Sequence, residues 1–197
     1  MYYPLIVNFS PIYYFMFINF NKYTNNIKIS RNYCSALHIL GCLFMSILYN
    51  YYNNIIFFNI NILFSIGYLI FDTMYILQYN KYNLFNICMI YHHIAASYLL
   101  LSDHIIYQSD IILLLGEISN IPGNIIYHYI QIKDYKYMNE LIAIQKYVYF
   151  VIRVICYSYI YFERLYFLLN NNYIILPLLT SCPVYLMGLI WSCKLIL

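Results

Sequence analysis

Long apolar runs separated by short polar stretches make up most of the chain between residues 5 and 196. Runs of roughly 17–25 apolar residues are long enough to cross the hydrocarbon core of a bilayer as α-helices. The pattern predicts about seven such helices, at Leu5–Phe20, Tyr33–Tyr49, Ile55–Leu77, Leu84–Leu101, Ile111–Ile130, Leu141–Phe162 and Tyr173–Ile196. The predicted fold class is therefore an all-α membrane protein built as a helical bundle.

Prolines interrupt two of the predicted spans. Pro122-Gly123 predicts a break in the fifth span, and the seventh contains Pro177 and Pro183. Membrane helices tolerate proline where neighbouring helices satisfy the freed carbonyl groups. We expect the break after Glu117 to expose backbone groups that bind a ligand or need side-chain partners.

Composition and charge agree with a membrane protein and narrow its partners. The chain is 64% hydrophobic and only 9% charged, whereas a soluble domain carries about 25% charged residues. A net charge of +3 without a basic, aromatic-interleaved patch excludes nucleic acid as the expected partner. The six cysteines form no CxxC pair, so we interpret them as small buried hydrophobic residues and predict no metal site.

Basic residues collect in alternate connections between the predicted spans, which indicates an orientation. One set of connections, with the C-terminal end, holds Lys22, Lys28, Arg31, Lys81, Lys133, Lys136 and Lys194. The opposite set holds only Arg164. Because cytosolic loops carry the excess of Lys and Arg, the N-terminus is predicted to be lumenal and the C-terminus cytosolic.

Five ionisable residues lie inside the predicted spans: Asp72, His92, His93, Glu117 and Arg153. A lone charge at the bilayer centre costs roughly 2.5–3.5 kcal/mol on insertion scales. We therefore expect these side chains to face one another around a polar central cavity. At 1.5 Å of rise per helical residue, the histidine pair lies about 12–14 Å from the cytosolic side. This depth predicts a cavity that is reached from the cytosol.

His92-His93 is the pair best suited to carry chemistry. Adjacent helical residues point in different directions, so only one of them can face a given partner squarely. An imidazole oriented by a carboxylate can act as a base or an acyl acceptor, and Asp72 and Glu117 are the candidate orienting residues. The alternative is structural, with both histidines hydrogen-bonded between helices and Asp72 in a salt bridge to Arg153.

Further polar residues are candidates for lining the same cavity. Ser119 and Asn124 follow Glu117 on the fifth span, and His38 lies in the apolar face of the second. His38 can equally serve as an interhelical hydrogen-bonding residue. Asp110 begins the fifth span, where Ser109-Asp110 resembles an ordinary helix cap.

Several short motifs, taken in order, resemble those of the TLC-domain family. These are Arg31-Asn32-Tyr33-Cys34-Ser35-Ala36-Leu37-His38, Gly67-Tyr68 followed by Asp72, His92-His93-Ile94, Glu117-Ile118-Ser119 with Pro122 and Asn124, and Phe150-Val151-Ile152-Arg153. The family includes ceramide synthases, TRAM-type translocon proteins and small TLC-domain lipid proteins. The resemblance covers Ser30 to Leu197, so it implies a TLC domain over 30–197, preceded by a first transmembrane helix and cytosolic loop over 1–29.

The resemblance implies a bundle of six or seven helices around a lipid-facing cavity in the endoplasmic reticulum. Ceramide synthases use a second, acidic motif for acyl transfer from acyl-CoA. Here Asp110 matches its first Asp, but Ser109, Leu113 and Asn120 stand where the family has His, Asp and Lys. This departure favours a lipid-binding or lipid-sensing protein that acts in membrane-lipid homeostasis without a cofactor.

Two other functions stay open at this point. One is a ceramide-synthase-like N-acyltransferase that uses His92-His93 and acyl-CoA. The other is a transporter or channel lined by the same residues, for which no internal repeat is visible in the sequence. Under each reading the expected partners are membrane lipids or small molecules at a cavity within the bundle.

Overall fold

The computed structural model describes residues 3–80, 83–101 and 109–170, with isolated positions at 182, 185, 186 and 190. Its helices are α1 (Tyr3–Thr24), α2 (Ile27–Tyr52), α3 (Ile55–Tyr79), α4 (Leu84–Leu101), α5 (Ser109–Ile132), α6 (Met138–Tyr149), a π-helical segment (Phe150–Cys156) and α7 (Tyr157–Asn170). The all-helical prediction is therefore confirmed for this part of the chain. Most of the predicted seventh span, Tyr173–Ile196, lies outside the described residues.

Four helices in the described part of the chain are long and apolar enough to cross a membrane. They are Ile27–Tyr52, Ile55–Tyr79, Leu84–Leu101 and Met138–Glu163. These four helices indicate an integral membrane protein. α1 and α5 have 22 and 24 residues but are not among the four.

Asparagine pairs form the tight connections between the first three helices. Asn25 adopts a left-handed conformation (φ 50°), and the side chain of Asn26 accepts hydrogen bonds from the backbone N–H groups of Lys28 and Ile29. Asn53 and Asn54 repeat the arrangement between α2 and α3. Asparagine suits both positions, because it tolerates left-handed backbone and caps helix N-termini. The result is three helices that run antiparallel to their neighbours in sequence.

An aromatic core joins α1 to α3. Tyr13 is fully buried, and its ring stacks on Phe71 at a centroid distance of 5.9 Å. Gly67 allows this close approach, because a Cβ atom there would lie 2.5 Å from the Cβ of Phe9. α1 therefore belongs to the packed bundle, and it reaches the residues that form the site.

The predicted break at Pro122-Gly123 is wrong, because α5 continues through both residues as one helix from Ser109 to Ile132. Proline removes one backbone donor, but hydrogen bonds hold the helix on either side of it, from Arg153 to Ser119 and between Asn124 and α2. The irregular helix lies instead at Phe150–Cys156, where the π-helical turns continue directly from α6 and into α7. π-Helical turns are rare and often occur at functional sites.

Candidate functional site

A pocket of about 650 Å³ lies between α2, α3, α4, α5 and the π-helical segment. All five of the predicted intramembrane ionisable residues line it. Its polar lining includes Arg31, Asn32, Ser35, His38, Asp72, His92, His93, Glu117, Asn120, Asn124 and Arg153. The pocket extends towards the end of the bundle that holds the α3–α4 connection, since Asn80 and Asn86 also line it.

The strongest charge contact in the pocket joins Arg31 to Asp72. Arg31 donates from Nε to Oδ1 at 2.6 Å and from Nη2 to Oδ2 at 2.8 Å, a bidentate geometry. The Asp72 side chain is only 2% exposed. The alternative pairing of Asp72 with Arg153 is therefore wrong. Arg31 was predicted to lie in the connection between the first and second spans. In the structure α2 begins at Ile27 and carries Arg31 in its second turn.

His93 is the member of the histidine pair that turns towards α3. Its Nε2 lies 3.5 Å from Oδ2 of Asp72, and its Nδ1 lies 3.1 Å from the hydroxyl of Thr73. The Thr73 hydroxyl also lies 2.7 Å from the Leu69 carbonyl, to which it donates. Contacts at both ring nitrogens therefore fix His93 in the wall of the pocket.

His92 faces a different direction from His93, as adjacent helical residues must. The two rings are tilted by 58° with centroids 5.9 Å apart. His92 lines the main pocket and also a second pocket beside it. Of the pair, His92 is the one that lines both pockets.

Glu117 interacts with His38, whereas the sequence made it a candidate partner of the histidine pair. Its Oε1 lies 3.4 Å from Nε2 of His38, whose Nδ1 lies 3.2 Å from the hydroxyl of Tyr13. The His38 ring stacks on Tyr68 with centroids 4.2 Å apart. A chain of polar contacts thus runs from α1 through α2 to α5, and it holds the Glu117 carboxylate at the pocket.

Arg153 reaches α5 from the π-helical segment. Nε donates to the hydroxyl of Ser119 at 2.7 Å, and Nη2 donates to the Gly116 carbonyl and to Oδ1 of Asn120, each at 3.2 Å. Ser119 was predicted to line the cavity, but it is fully buried and is not among the lining residues. It positions Arg153 instead, by accepting the bond from Nε. The guanidinium also lies over the ring of Tyr157, 5.0 Å from its centroid.

Asn124 connects helices and lines the pocket as well. Its Nδ2 donates to the Ser35 hydroxyl at 3.0 Å, and its carbonyl accepts a 3.1 Å bond from the Asn32 side chain. These bonds fasten α5 to α2. The side chain of Asp110, the remaining predicted cavity residue, lies outside the described part of the structure.

The second pocket is smaller and more apolar. Its volume is about 170 Å³, and it adjoins the main pocket through shared lining residues. Those shared residues are His38, Leu69, His92, Glu117, Asn120 and Arg153. Beyond them its lining is mainly aliphatic, with Ala96, Leu99, Leu100, Ile112 and Leu113. Within the described residues, no group of three or more His, Cys, Asp or Glu side chains could hold a metal ion.

Three comparisons with known proteins were made. No family model, no curated protein and no solved structure matches the chain.

Proposed function

We propose that this chain is a TLC-domain-type membrane protein that binds a lipid in a polar cavity at the centre of about seven helices. Its role would be lipid sensing or membrane-lipid homeostasis in the endoplasmic reticulum, with a lumenal N-terminus and a cytosolic C-terminus. One observation carries the proposal. Ionisable side chains from α2, α3, α4, α5 and the π-helical segment line a single pocket in a chain that is only 9% charged.

The arrangement of the resembling motifs supports the family assignment. Arg31 and His38, Asp72, His92-His93, Glu117 with Asn124, and Arg153 come from separate stretches of sequence, and all of them line this pocket. Residues that merely fastened neighbouring helices together would not need to share one cavity. A volume of about 650 Å³ also falls in the range of small-molecule pockets, roughly 300–1,000 Å³.

Lipid that co-purifies with the protein tests this proposal. Leu69 lines both pockets, whereas Ile70, the next residue on α3, is 37% exposed and lines neither. Native mass spectrometry should detect a bound lipid on wild type and on Ile70→Trp, and should lose it on Leu69→Trp. Equal lipid retention by both tryptophan variants would show that the lipid lies on the outside of the bundle, which contradicts the proposal.

The second candidate is an acyl transfer or hydrolysis reaction at His92. The position of His92 at the junction of the polar and apolar pockets favours it. Cellular lipid profiles of wild type, His92→Ala, His93→Ala and an empty vector distinguish it from simple binding. A new acyl-lipid product that requires His92 supports the enzyme. A product that survives both substitutions excludes this histidine mechanism.

A further inference from the structure

The guanidinium of Arg153 presents one unused edge at the junction of the two pockets. Nε and Nη2 are bonded to α5, and the faces of the group lie near Tyr149 and Tyr157. None of the described residues accepts a hydrogen bond from Nη1 of Arg153. The Arg153 side chain is only partly buried, and it lines both pockets. Two N–H donors are thus available to a molecule in the cavity.

The charges of the described site leave Arg153 as the cation best placed for a ligand. Arg31 is neutralised by its bidentate contact with Asp72. The Glu117 carboxylate contacts His38. No described carboxylate is at ion-pair distance from Arg153, so the attraction between Glu117 and Arg153 acts over a longer distance. In a low-dielectric site a guanidinium favours an anionic acceptor such as a carboxylate, to which Nη1 of Arg153 can donate.

The apolar pocket begins at the same point. From Arg153 and His92 its lining continues along α4 and α5 through Leu99, Leu100 and Leu113. A volume of about 170 Å³ is below the roughly 300 Å³ of typical ligand pockets, so it suits a short alkyl segment. A molecule with its acid group at Arg153 can therefore place its chain in this pocket.

We infer that the cavity binds an alkyl carboxylate, with the carboxylate on Nη1 of Arg153 beside His92 and the alkyl chain between α4 and α5. The inference rests on the proposed lipid-binding function, and it adds the ligand class and its orientation. Ser119 and Asn120 are then positioning residues, because they hold the guanidinium through the bonds that leave Nη1 free.

Binding of radiolabelled decanoate to the purified, delipidated full-length protein tests the inference. In wild type, unlabelled decanoate should compete at least tenfold better than decanol, methyl decanoate or decylammonium. This ligand series needs no variant, so it does not depend on a substituted protein folding. Equal competition by decanol or methyl decanoate overturns the carboxylate assignment.

Substitutions then test which residue binds the acid group and which pocket holds the alkyl chain. Arg153→Gln should abolish the preference for decanoate, Arg153→Lys should restore part of it, and Leu113→Trp should weaken decanoate and decanol together. Lys133→Gln removes an exposed cation outside both pockets and should change nothing. Unchanged decanoate binding by folded Arg153→Gln overturns the inference.

The two proposals can fail separately. If Leu69→Trp loses a native lipid but decanoate shows no dependence on Arg153, lipid binding stands and the carboxylate assignment fails. If decanoate binds through Arg153 but no membrane lipid co-purifies, the carboxylate site stands and the proposed lipid-binding function fails.

Discussion

At the scale of single residues, charged groups in this chain work in sets whose members come from different helices. Arg31 is anchored to Asp72, which is also the neighbour of His93, and His93 is fixed in turn by Thr73. A buried carboxylate is costly without such partners, and the bidentate contact with Arg31 offsets much of that cost. The pair therefore holds α2 against α3 and fixes the wall of the pocket.

Removing the Asp72 charge should destabilise the protein by about 3 kcal/mol, because Arg31 then loses its carboxylate. Thermal unfolding of Asp72→Asn in detergent measures this, with Lys133→Gln as the surface control. The double variant Arg31→Met/Asp72→Leu should recover most of the loss, since neither charge is left alone. An Asp72→Asn variant as stable as wild type would show that the contact contributes nothing to stability.

The sequence predicted which ionisable residues lie inside the spans, and it named Asp72 as a partner of the histidine pair. It did not predict that Arg31 pairs with Asp72 or that His38 pairs with Glu117. The alternative that paired Asp72 with Arg153 named the wrong arginine, because Arg31 was predicted to lie in a connection. α2 starts six residues earlier than its apolar run, because Asn26 caps it at Ile27. Asn26 and Asn54, residues of a type that caps helix N-termini, were the sequence signals for the starts of α2 and α3.

At the scale of elements, apolar run length predicted the helices well and their irregularities poorly. α4 matches its predicted limits, Leu84–Leu101, and α3 extends only two residues further than predicted. Run length carries no information about local backbone geometry. The helix break predicted at Pro122 is absent because packing holds α5, while the π-helical turns around Arg153 have no comparable sequence signal.

Close packing of α1 on α3 depends on one glycine. Gly67→Ala places a methyl group 2.5 Å from Phe9 Cβ and 3.1 Å from its backbone carbonyl carbon. Neither atom can move without shifting α1, so we expect a loss of about 1–3 kcal/mol, the usual cost of overpacking. Thermal unfolding of wild type, Gly67→Ala and the control variant in detergent measures this loss of stability.

Gly123→Ala is the control for this substitution. There the added carbon meets only the end of the Gln145 side chain, at 3.1 Å, which can rotate away. It should leave stability within about 0.5 kcal/mol of wild type, as ordinary tolerated substitutions do. If both alanine variants behave alike, α1 does not pack on α3 through Gly67.

At the scale of the whole molecule, many large apolar side chains of the described residues are exposed, whereas the ionisable residues of the pocket face inward. Large exposed side chains include Phe15, Leu40, Ile47, Leu84, Ile94 and Phe162, whereas Asp72 and His93 are buried. A soluble protein rarely exposes so many large apolar side chains. The bilayer covers such a surface, so this distribution follows from the low charge content and could be predicted from sequence.

The predicted orientation can be tested at two exposed positions on opposite sides of the bundle. In sealed microsomes, Lys136→Cys in the α5–α6 connection should react with a membrane-impermeant maleimide added outside. Tyr51→Cys, near the α2–α3 connection, should react only after permeabilisation, because basic connections face the cytosol. The unsubstituted protein gives the background of the native cysteines. The reverse labelling pattern would invert the orientation.

The Arg31–Asp72 contact also has a consequence for how the chain is made. The two residues are 41 positions apart, and the acid is synthesised second. At about 5–20 residues per second, Arg31 waits roughly 2–8 s for its partner to emerge from the ribosome. During that interval its long side chain has to reach the lipid headgroups for hydration. The α2–α3 hairpin is therefore the first unit of the growing chain in which both charges can be paired.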